Sequence, residues 1–448
     1  MRPTHKMPAP SQIDAIWWLH PGKLVLFFML PIYLFVTFVV PALWPELIVL
    51  RARVYMDAEY VLLGACSLLL LGGGALFGAR LRLGGGPEPK QLLYHVRERV
   101  LLFMGGLATL AYLIWFGPAI ARGELLLERE ELNQMPGVTS FTQLGVPFVV
   151  VYLYASRRAG QQFSWPVRFL FRLLLAFTVL RVYMWSERLA LIEIAVPAAV
   201  LLLAYYRPER PLMQTAFTLV RRYGPFLGIP VLLVFFGATE VVRSWTSYSQ
   251  KQDITLVDFI ISRVATYYYT ALNNGAGLLA TSTWPDFEFL SIGEWVYRLP
   301  FGIGQTFWDS LGRAGMPHDE FLRRFADVEF NNMSGIYPVY FDIGIALGLL
   351  YFGGLGVVMG LAYGEAKRGG RLGTLIFPSM LVACIEVLRI MYLNNTRCFL
   401  VFVGAFLVVS QMRPVQQTVA ASRPSAPTPS TVRGARGPSR AALPVRGR

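Results

Sequence analysis

Long apolar runs constrain this chain more than any other feature of its sequence. Each run covers roughly 16 to 22 residues, the length that an α-helix needs to cross the hydrocarbon core of a bilayer. The chain is 55% hydrophobic and only 15% charged, whereas an ordinary soluble domain carries about a quarter charged residues. The sequence therefore predicts an all-α, polytopic integral membrane protein. Its ten predicted spans lie near 24–42, 59–78, 99–117, 139–155, 167–184, 188–206, 224–242, 340–363, 373–391 and 396–411.

The distribution of Lys and Arg orients these spans, because basic loop residues mark the cytoplasmic side. The loop 118–138 is acidic, whereas basic residues cluster in 79–99, 156–168, 207–222 and 367–371. Ten spans with both termini in the cytoplasm satisfy all of these loops. This topology places the long segment 243–339 outside, in agreement with its ten acidic and seven basic residues.

The predicted topology divides the chain into four parts. They are an N-terminal bundle of about seven spans at 1–242, a periplasmic loop at 243–339, about three C-terminal spans at 340–411, and a basic cytoplasmic tail at 412–448. Within the loop, the apolar stretch near 254–280 has helical spacing on one face and fits an interfacial or re-entrant helix. Long ordered loops usually carry function, so we expect the chemistry there.

The net charge of +14 does not indicate a nucleic-acid-binding protein. Seven arginines and no acidic residue lie in the Pro/Ser/Ala-rich tail, which we expect to be disordered. Attraction to anionic lipid headgroups accounts for such a tail, so membrane lipids are predicted partners and nucleic acid is not. The three cysteines lie in apolar spans without ligand spacing, and we predict no metal site.

Arginines on the predicted outer side are the main anomaly, because positive charge is disfavoured there and costly at depth. They are Arg181, Arg188, Arg243, Arg263, Arg298, Arg389 and Arg397. Planar guanidinium binds phosphate in bidentate fashion, which indicates an anionic ligand at the outer surface. Structural ion pairing is the alternative for each of them, and Glu386 lies three residues before Arg389, at the spacing of a helical pair.

Aromatic and amide side chains accompany these arginines. Trp295 and Tyr337 are two of the loop aromatics, and Asn273-Asn274 lies in the amphipathic stretch. Aromatic faces stack on sugars, but they also populate membrane interfaces. Together with the arginines, they predict a pocket for a polyhydroxylated anionic lipid.

Three stretches carry a resemblance to a known family. One is Asn332-x-Ser334-x-Ile336-Tyr337-Pro338-x-Tyr340-x-Asp342-x-Gly344, which is followed by a Gly-rich span. The others are Trp185-Ser186-Glu187-Arg188-Leu189-Ala190 and the segment from Arg263 through Tyr267-Tyr268-Tyr269 to Asn273-Asn274. Over roughly 180–365, the chain resembles bacterial oligosaccharide repeat unit polymerases, the polymerases of O-antigen and capsule.

The resemblance implies a GT-C-like membrane architecture with one large periplasmic loop in the bacterial inner membrane. It implies a glycosyltransferase without metal or cofactor, which polymerises repeat units carried on undecaprenyl pyrophosphate into O-antigen, capsule or exopolysaccharide. Donor and acceptor are both such lipid-linked oligosaccharides. A separate chain-length regulator protein is a further partner implied by the family.

Candidate roles follow from this chemistry, in which pyrophosphate leaves as an acceptor hydroxyl attacks. We expect Arg188, Arg243 and Arg263 to clamp the leaving group, with Arg298, Arg389 and Arg397 in supporting positions. Asp342 resembles the acid of the family, although an Asp that opens a helix also caps it. Further candidates for a base are Glu187, Glu294, His318 and Asp319, and His318 suits proton transfer near neutral pH.

Two other functions remain open at this stage. An O-antigen ligase-like transferase shares the donor and the architecture but uses another acceptor. A transporter or flippase of lipid-linked sugars predicts charges near mid-membrane and broken helices. The charges cluster instead at the outer surface, and the spans read as continuous except at Pro378, which favours the polymerase.

Overall fold

Helices make up 81% of the structure. The computed structural model describes residues 13–43, 45, 53–82, 93–122, 137–185, 188–241, 255–297, 299, 302–304, 306, 317–326 and 330–414. Its main helices are α1 Pro21–Leu43, α2 Ala58–Gly78, α3 Glu98–Arg122, α4 Val138–Arg157, α5 Trp165–Trp185, α6 Arg188–Tyr205, α7 Pro211–Glu240, α8 Leu256–Thr281, α9 Pro317–Phe325, α10 Tyr337–Arg368, α11 Arg371–Glu386 and α12 Thr396–Gln411. Two short strands, β1 Tyr94–Val96 and β2 Met412–Pro414, complete it.

Seven helices among the described residues are long and apolar enough to cross a membrane: α1, α2, α3, α4, α6, α7 and α10. The prediction of a multi-pass helical membrane protein is therefore confirmed. Each predicted span coincides with a helix, but three of these helices are too short or too charged to count among the seven. α5 carries three arginines, and α11 and α12 have 16 residues each, about 24 Å of helix. The predicted span 373–391 is too long, because α11 ends at Glu386.

The packing of α2 against α10 depends on glycine. A Cβ on Gly356 or Gly360 of α10 would collide with the backbone carbonyl oxygen of Leu71 or Ala75 of α2. The same holds on the other helix for Gly74 and Gly78. Small residues permit this backbone approach, which gives dispersion contacts between membrane helices. We call these four glycines the glycine seam.

α10 is broken near its start, at Gly344. Gly344 has φ 77° and ψ 177°, a backbone conformation that an L side chain rarely adopts. The loop 285–292 fills the break with backbone donors to the preceding turn: Asp286 N to Phe341 O at 3.0 Å and Phe287 N to Asp342 O at 2.9 Å. The expectation of spans continuous except at Pro378 is wrong here. The glycine pattern indicated close packing and gave no sign of a break.

The amphipathic stretch near 254–280 forms α8, as predicted. Thr255 caps it, because its side-chain oxygen accepts from Asp258 N at 3.2 Å. Residues 269–279 are buried without interruption, and the helix packs against α7 and α10. Its interfacial or re-entrant placement in a membrane stays a prediction.

β1 and β2 form an antiparallel pair that the all-α prediction misses. Tyr94 is opposite Pro414, and Val96 is opposite Met412. Gln161 extends the pair by bonding both backbone groups of Val96, at 3.0 and 2.8 Å. Strands of three residues leave no periodic signal in the sequence. The chain divides into the units Met1–Pro414 and Val415–Arg448, and the second unit, which contains most of the predicted basic tail, lies outside the described residues.

Candidate functional site

The side chain of Tyr267 on α8 is the centre of a polar group formed by distant parts of the chain. Its hydroxyl accepts a hydrogen bond from Arg389 Nη1 at 2.8 Å and one from Asn332 Nδ2 at 3.1 Å. Arg389 follows the end of α11, and Asn332 lies in the loop before α10. The loop and the α11 end are joined directly, since Gly335 N donates to Val387 O at 2.8 Å.

Aromatic rings on both sides of Tyr267 each carry an arginine. The ring of Phe236 lies 5.4 Å from the Tyr267 ring, and Arg188 Cζ sits 3.5 Å from the centroid of Phe236. The ring of Phe330 is 6.1 Å from that of Tyr267, and Arg263 Cζ lies 4.8 Å from the Phe330 centroid. Guanidinium groups are attracted to ring faces. Three of the predicted arginines, Arg188, Arg263 and Arg389, therefore meet along one row of rings, which we call the arginine–aromatic row.

Two of these arginines have further partners that fix them. Arg389 Nε bonds Glu386 Oε2 at 2.6 Å, which is the ion pair that the sequence spacing offered as an alternative, although Arg389 lies just past the end of α11. Arg188 Nε donates to Thr239 Oγ1 at 2.8 Å. Arg188 and Arg389 are each 9% exposed, and Arg263 is 4% exposed, so the group is largely shielded from solvent.

Tyr268, the next residue on α8, belongs to the same surroundings. Burial, with Glu386 as a neighbouring negative charge, raises the pKa of its phenol. Tyr268 thus stays protonated at neutral pH beside Arg389 and Arg188.

A second charged group surrounds Glu193, a carboxylate in α6 that is 1% exposed. Arg397 Nη1 lies 3.7 Å from Glu193 Oε2. Arg181 also acts on this carboxylate, and it bonds Thr142 Oγ1 at 3.1 Å while its Cζ lies 5.1 Å from the Trp115 ring. Glu193 lies within electrostatic reach of Arg389 and Glu386, which links the two groups.

Asp342 does not join the arginines. It is fully buried, and its carboxylate accepts from Ser291 N at 2.7 Å, Ser291 Oγ at 3.0 Å and Ile292 N at 2.8 Å. It lies six residues into α10, which begins at Tyr337, so the interpretation as a helix-opening cap is wrong. Its contacts instead hold the loop 285–292 against the break at Gly344.

Three other predicted binding residues are also used in joints between chain segments. Asn273 accepts from Tyr55 N at 2.7 Å and donates to Arg53 O at 2.8 Å. Asn274 donates to the carbonyls of Phe330 and Asn332 at 2.8 and 3.0 Å. The hydroxyl of Tyr337 contacts that of Tyr33 at 3.0 Å and donates to Tyr60 O at 3.0 Å. Asn274 alone touches the arginine–aromatic row, through the backbone that carries Phe330 and Asn332.

The remaining predicted site residues lie apart or outside the described chain. Trp295 stacks on Phe399 with ring centroids 5.1 Å apart and an interplanar angle of 8°. The backbone of His318 lies in α9, and its side chain is not among those described. Arg243 and Arg298 lie outside the described residues. The described residues contain no group of three or more His, Cys, Asp or Glu that could hold a metal ion.

Sequence reasoning missed Phe236 and Phe330 as parts of the site, and it placed Tyr267 in a stretch that carries the resemblance without giving it a role of its own. Arg263 and Tyr267 are four residues apart on one helix and so share a face, which could have indicated the pairing. Nothing local connects the two phenylalanines, since they lie 31 and 63 residues from Tyr267. Glu193 had no local signal beyond its place in an apolar span.

No protein-family model, no curated protein and no solved structure matches this chain. The fold and the site define a helical membrane protein in which buried arginines converge on aromatic rings at one place. The resemblance to repeat unit polymerases therefore rests on the quoted residues of this sequence.

Proposed function

We propose that this chain is a glycosyltransferase that polymerises undecaprenyl-pyrophosphate-linked oligosaccharide repeat units at the periplasmic face of the bacterial inner membrane. The observation that carries the proposal is the arginine–aromatic row. Each of the three stretches that resemble the family contributes to the row or bonds it. Arg188 comes from the stretch 185–190, Arg263 and Tyr267 come from the stretch 263–274, and Asn332, which bonds Tyr267, comes from the stretch 332–344.

The row has the chemistry that a diphosphate leaving group requires. An acceptor hydroxyl attacks the anomeric carbon, the bond from that carbon to the pyrophosphate oxygen breaks, and the electron pair leaves with pyrophosphate. The hydroxyl proton is given up to a base or to water. Preorganised guanidiniums in a water-poor site stabilise the developing negative charge, and one such donor is typically worth about a hundred- to a thousandfold in rate.

Stacking on rings suits these arginines to that task. A guanidinium that lies over a ring uses its face for the contact, whereas its N–H donors lie in its own plane. We propose Arg188, Arg263 and Arg389 as the clamp, and Asp342 as a positioning residue for the loop 285–292.

The strand pair β1–β2 supports a ten-span topology. Paired strands lie on the same side of a membrane, so the chain between Val96 and Met412 crosses an even number of times. The five strong candidates in this interval, α3, α4, α6, α7 and α10, give an odd number. Adding α5, α11 and α12 gives eight crossings, and α1 and α2 bring the total to ten.

The same count of crossings favours one side of the membrane for the segment 53–57 and the arginine–aromatic row, opposite to the side of β1–β2. The segment 53–57 lies between α1 and α2, one crossing away from β1. Asn273 of α8 bonds the backbone of this segment at Tyr55 and Arg53. The row on α8 thus faces the side on which the proposal places the lipid-linked substrates.

A gel of surface glycan from a strain that lacks this gene tests the proposal. We expect the ladder to collapse to a core carrying a single repeat unit, and wild-type chain to restore it. Arg263→Ala should not restore it. Arg222→Ala is the matched control, because the Arg222 side chain is exposed and lies over Tyr223 of its own helix. Complete loss of glycan from the core would favour a ligase or flippase, and an unchanged ladder would overturn the proposal.

A transporter of lipid-linked sugars is the second candidate, because broken helices are typical of such proteins and α10 is broken at Gly344. Its weakness is that the loop 285–292 already occupies the polar groups at the break. Vesicles containing the purified chain and a lipid-linked repeat unit separate the two functions. Chain growth supports the polymerase, and movement across the bilayer without growth supports the transporter.

A further inference from the structure

The hydroxyl of Tyr267 has an unusual arrangement of partners. A phenol oxygen has one proton to donate and two lone pairs to accept with. Both partners of this hydroxyl among the described residues are donors, Arg389 Nη1 at 2.8 Å and Asn332 Nδ2 at 3.1 Å. A guanidinium carries no acceptor at all, so the phenol cannot donate to Arg389. Asn332 offers its amide nitrogen, which is likewise a donor.

The two contacts therefore determine where the phenol proton points. With both accepting positions taken, the O–H bond is directed away from Arg389 and Asn332. Among the described residues, this hydroxyl donates no hydrogen bond. Tyr267 is half-buried, so part of its side chain stays accessible.

The charges around this proton define the class of acceptor that it meets. Arg389 is bonded to the same oxygen, and Arg188 and Arg263 lie over the rings on either side. These three guanidiniums attract an acceptor that is an anion, and Glu386, which is paired with Arg389, opposes that attraction. Phosphate oxygens accept hydrogen bonds from hydroxyl and guanidinium donors together.

We infer that Tyr267 is a binding residue that donates its phenol proton to an oxyanion of the phosphate class, with Arg389 and Asn332 aiming the hydroxyl. Asn332 and Arg389 are thereby positioning residues for that donor as well. The inference rests on the proposed function for naming the anion as a diphosphate. The donor geometry itself is independent of which reaction follows.

A purely structural Tyr267 would tie α8 to the loop before α10 and to the end of α11. Such a tie lowers the stability of the ligand-free protein when it is removed, but leaves the response to ligand unchanged. A binding role has the opposite signature, because a ligand stabilises the folded state in proportion to its affinity. The shift in melting temperature on adding ligand therefore distinguishes the two roles.

The experiment uses the full chain purified in detergent, with inorganic pyrophosphate as the probe. Melting temperature with and without pyrophosphate, and Kd by calorimetry, are measured for wild type, Tyr267→Phe and Tyr269→Phe. Tyr269→Phe is the control, since it removes a phenol from the core-facing side of the same helix. We expect Tyr267→Phe to weaken binding about ten- to a hundredfold, the effect of one hydrogen bond to a charged group, and to abolish most of the melting shift.

Asn332→Ala provides a graded version of the test. It removes one of the two donors that aim the phenol but leaves the phenol itself, so its loss of affinity should be smaller than that of Tyr267→Phe. Equal affinity of Tyr267→Phe and wild type, within about twofold of Kd, overturns the inference. Absence of pyrophosphate binding by the wild-type chain overturns it as well. Binding that depends on Tyr267, in a chain that makes no polymer from lipid-linked repeat units, supports the inference and rejects the proposed function.

Discussion

Two sets of buried polar residues differ in what they bond. Asn273, Asn274 and Asp342 bond mainly backbone groups of other segments, and we call them the loop joints. In the arginine–aromatic row, the guanidiniums instead meet ring faces, a phenol and a few side chains. A hydrogen bond to a backbone group fixes the position of the chain segment that carries that group. The loop joints therefore stabilise the arrangement of the segments in the fold. The row gathers guanidinium groups, the side chains that suit a phosphate ligand, which is why we place the function there.

The largest effect is expected for Asp342→Ala. It removes the acceptor of two backbone N–H groups and one hydroxyl, and each buried donor left unsatisfied costs about 1–3 kcal/mol. We expect poor accumulation in membranes and a large fall in melting temperature of the purified chain, with partial recovery in Asp342→Asn, which keeps one acceptor oxygen. A stable Asp342→Ala chain that makes no polymer would move Asp342 from the joints to the chemistry.

Removal of an arginine of the row should instead reduce activity strongly and stability only slightly. For Arg263→Ala we expect polymer synthesis to fall about a hundred- to a thousandfold, with a smaller loss of melting temperature than in Asp342→Ala. Arg263→Lys should restore little, because an ammonium does not reproduce the planar contact with Phe330. Rates with lipid-linked repeat units and melting curves on the same preparations check this. Recovery of full activity by Lys would show that charge alone matters.

The comparison also explains what the sequence could predict. The apolar runs located ten helices because a membrane span is a long local signal, and i,i+3 spacing offered the Glu386–Arg389 pair. The sequence predicted only part of the arginine–aromatic row. Arg188, Arg263 and Arg389 were chosen from their predicted side of the membrane, but Phe236 and Phe330 approach Tyr267 through tertiary packing that no local pattern encodes.

The loop joints show the converse limit. Two of them, Asn273 and Asn274, were predicted to bind substrate because of their type and place, as was Tyr337 outside the loop joints, yet each carries hydrogen bonds to other parts of the chain. Residue type does not reveal whether an amide faces a ligand or a carbonyl. The break at Gly344 was missed for a related reason, because a glycine that needs positive φ reads the same as one needed for packing.

The glycine seam gives a test in which chemistry plays no part. Gly356→Ala places a methyl group against the Leu71 carbonyl, and overpacking of this kind costs about 1–3 kcal/mol. Gly354→Ala is the matched control, since a Cβ there meets nothing within 4 Å. We expect a lower melting temperature only for Gly356→Ala, with the binding of pyrophosphate per folded chain unchanged in both. Loss of binding in Gly356→Ala at wild-type stability would couple the seam to the row.

The smallest effect is expected at Trp295, a predicted sugar-binding residue whose ring is stacked on Phe399 and which is 37% exposed. Because one indole face is already used, Trp295→Phe keeps the aromatic pair, which is worth about 0.5–1.5 kcal/mol. Melting temperature and polymer yield should stay close to wild type, whereas Trp295→Ala should lose that pair and a few degrees. A strong fall in polymer for Trp295→Phe at unchanged stability would mean that the other indole face contacts sugar. The substrate pocket would then extend beyond the row to the start of α12.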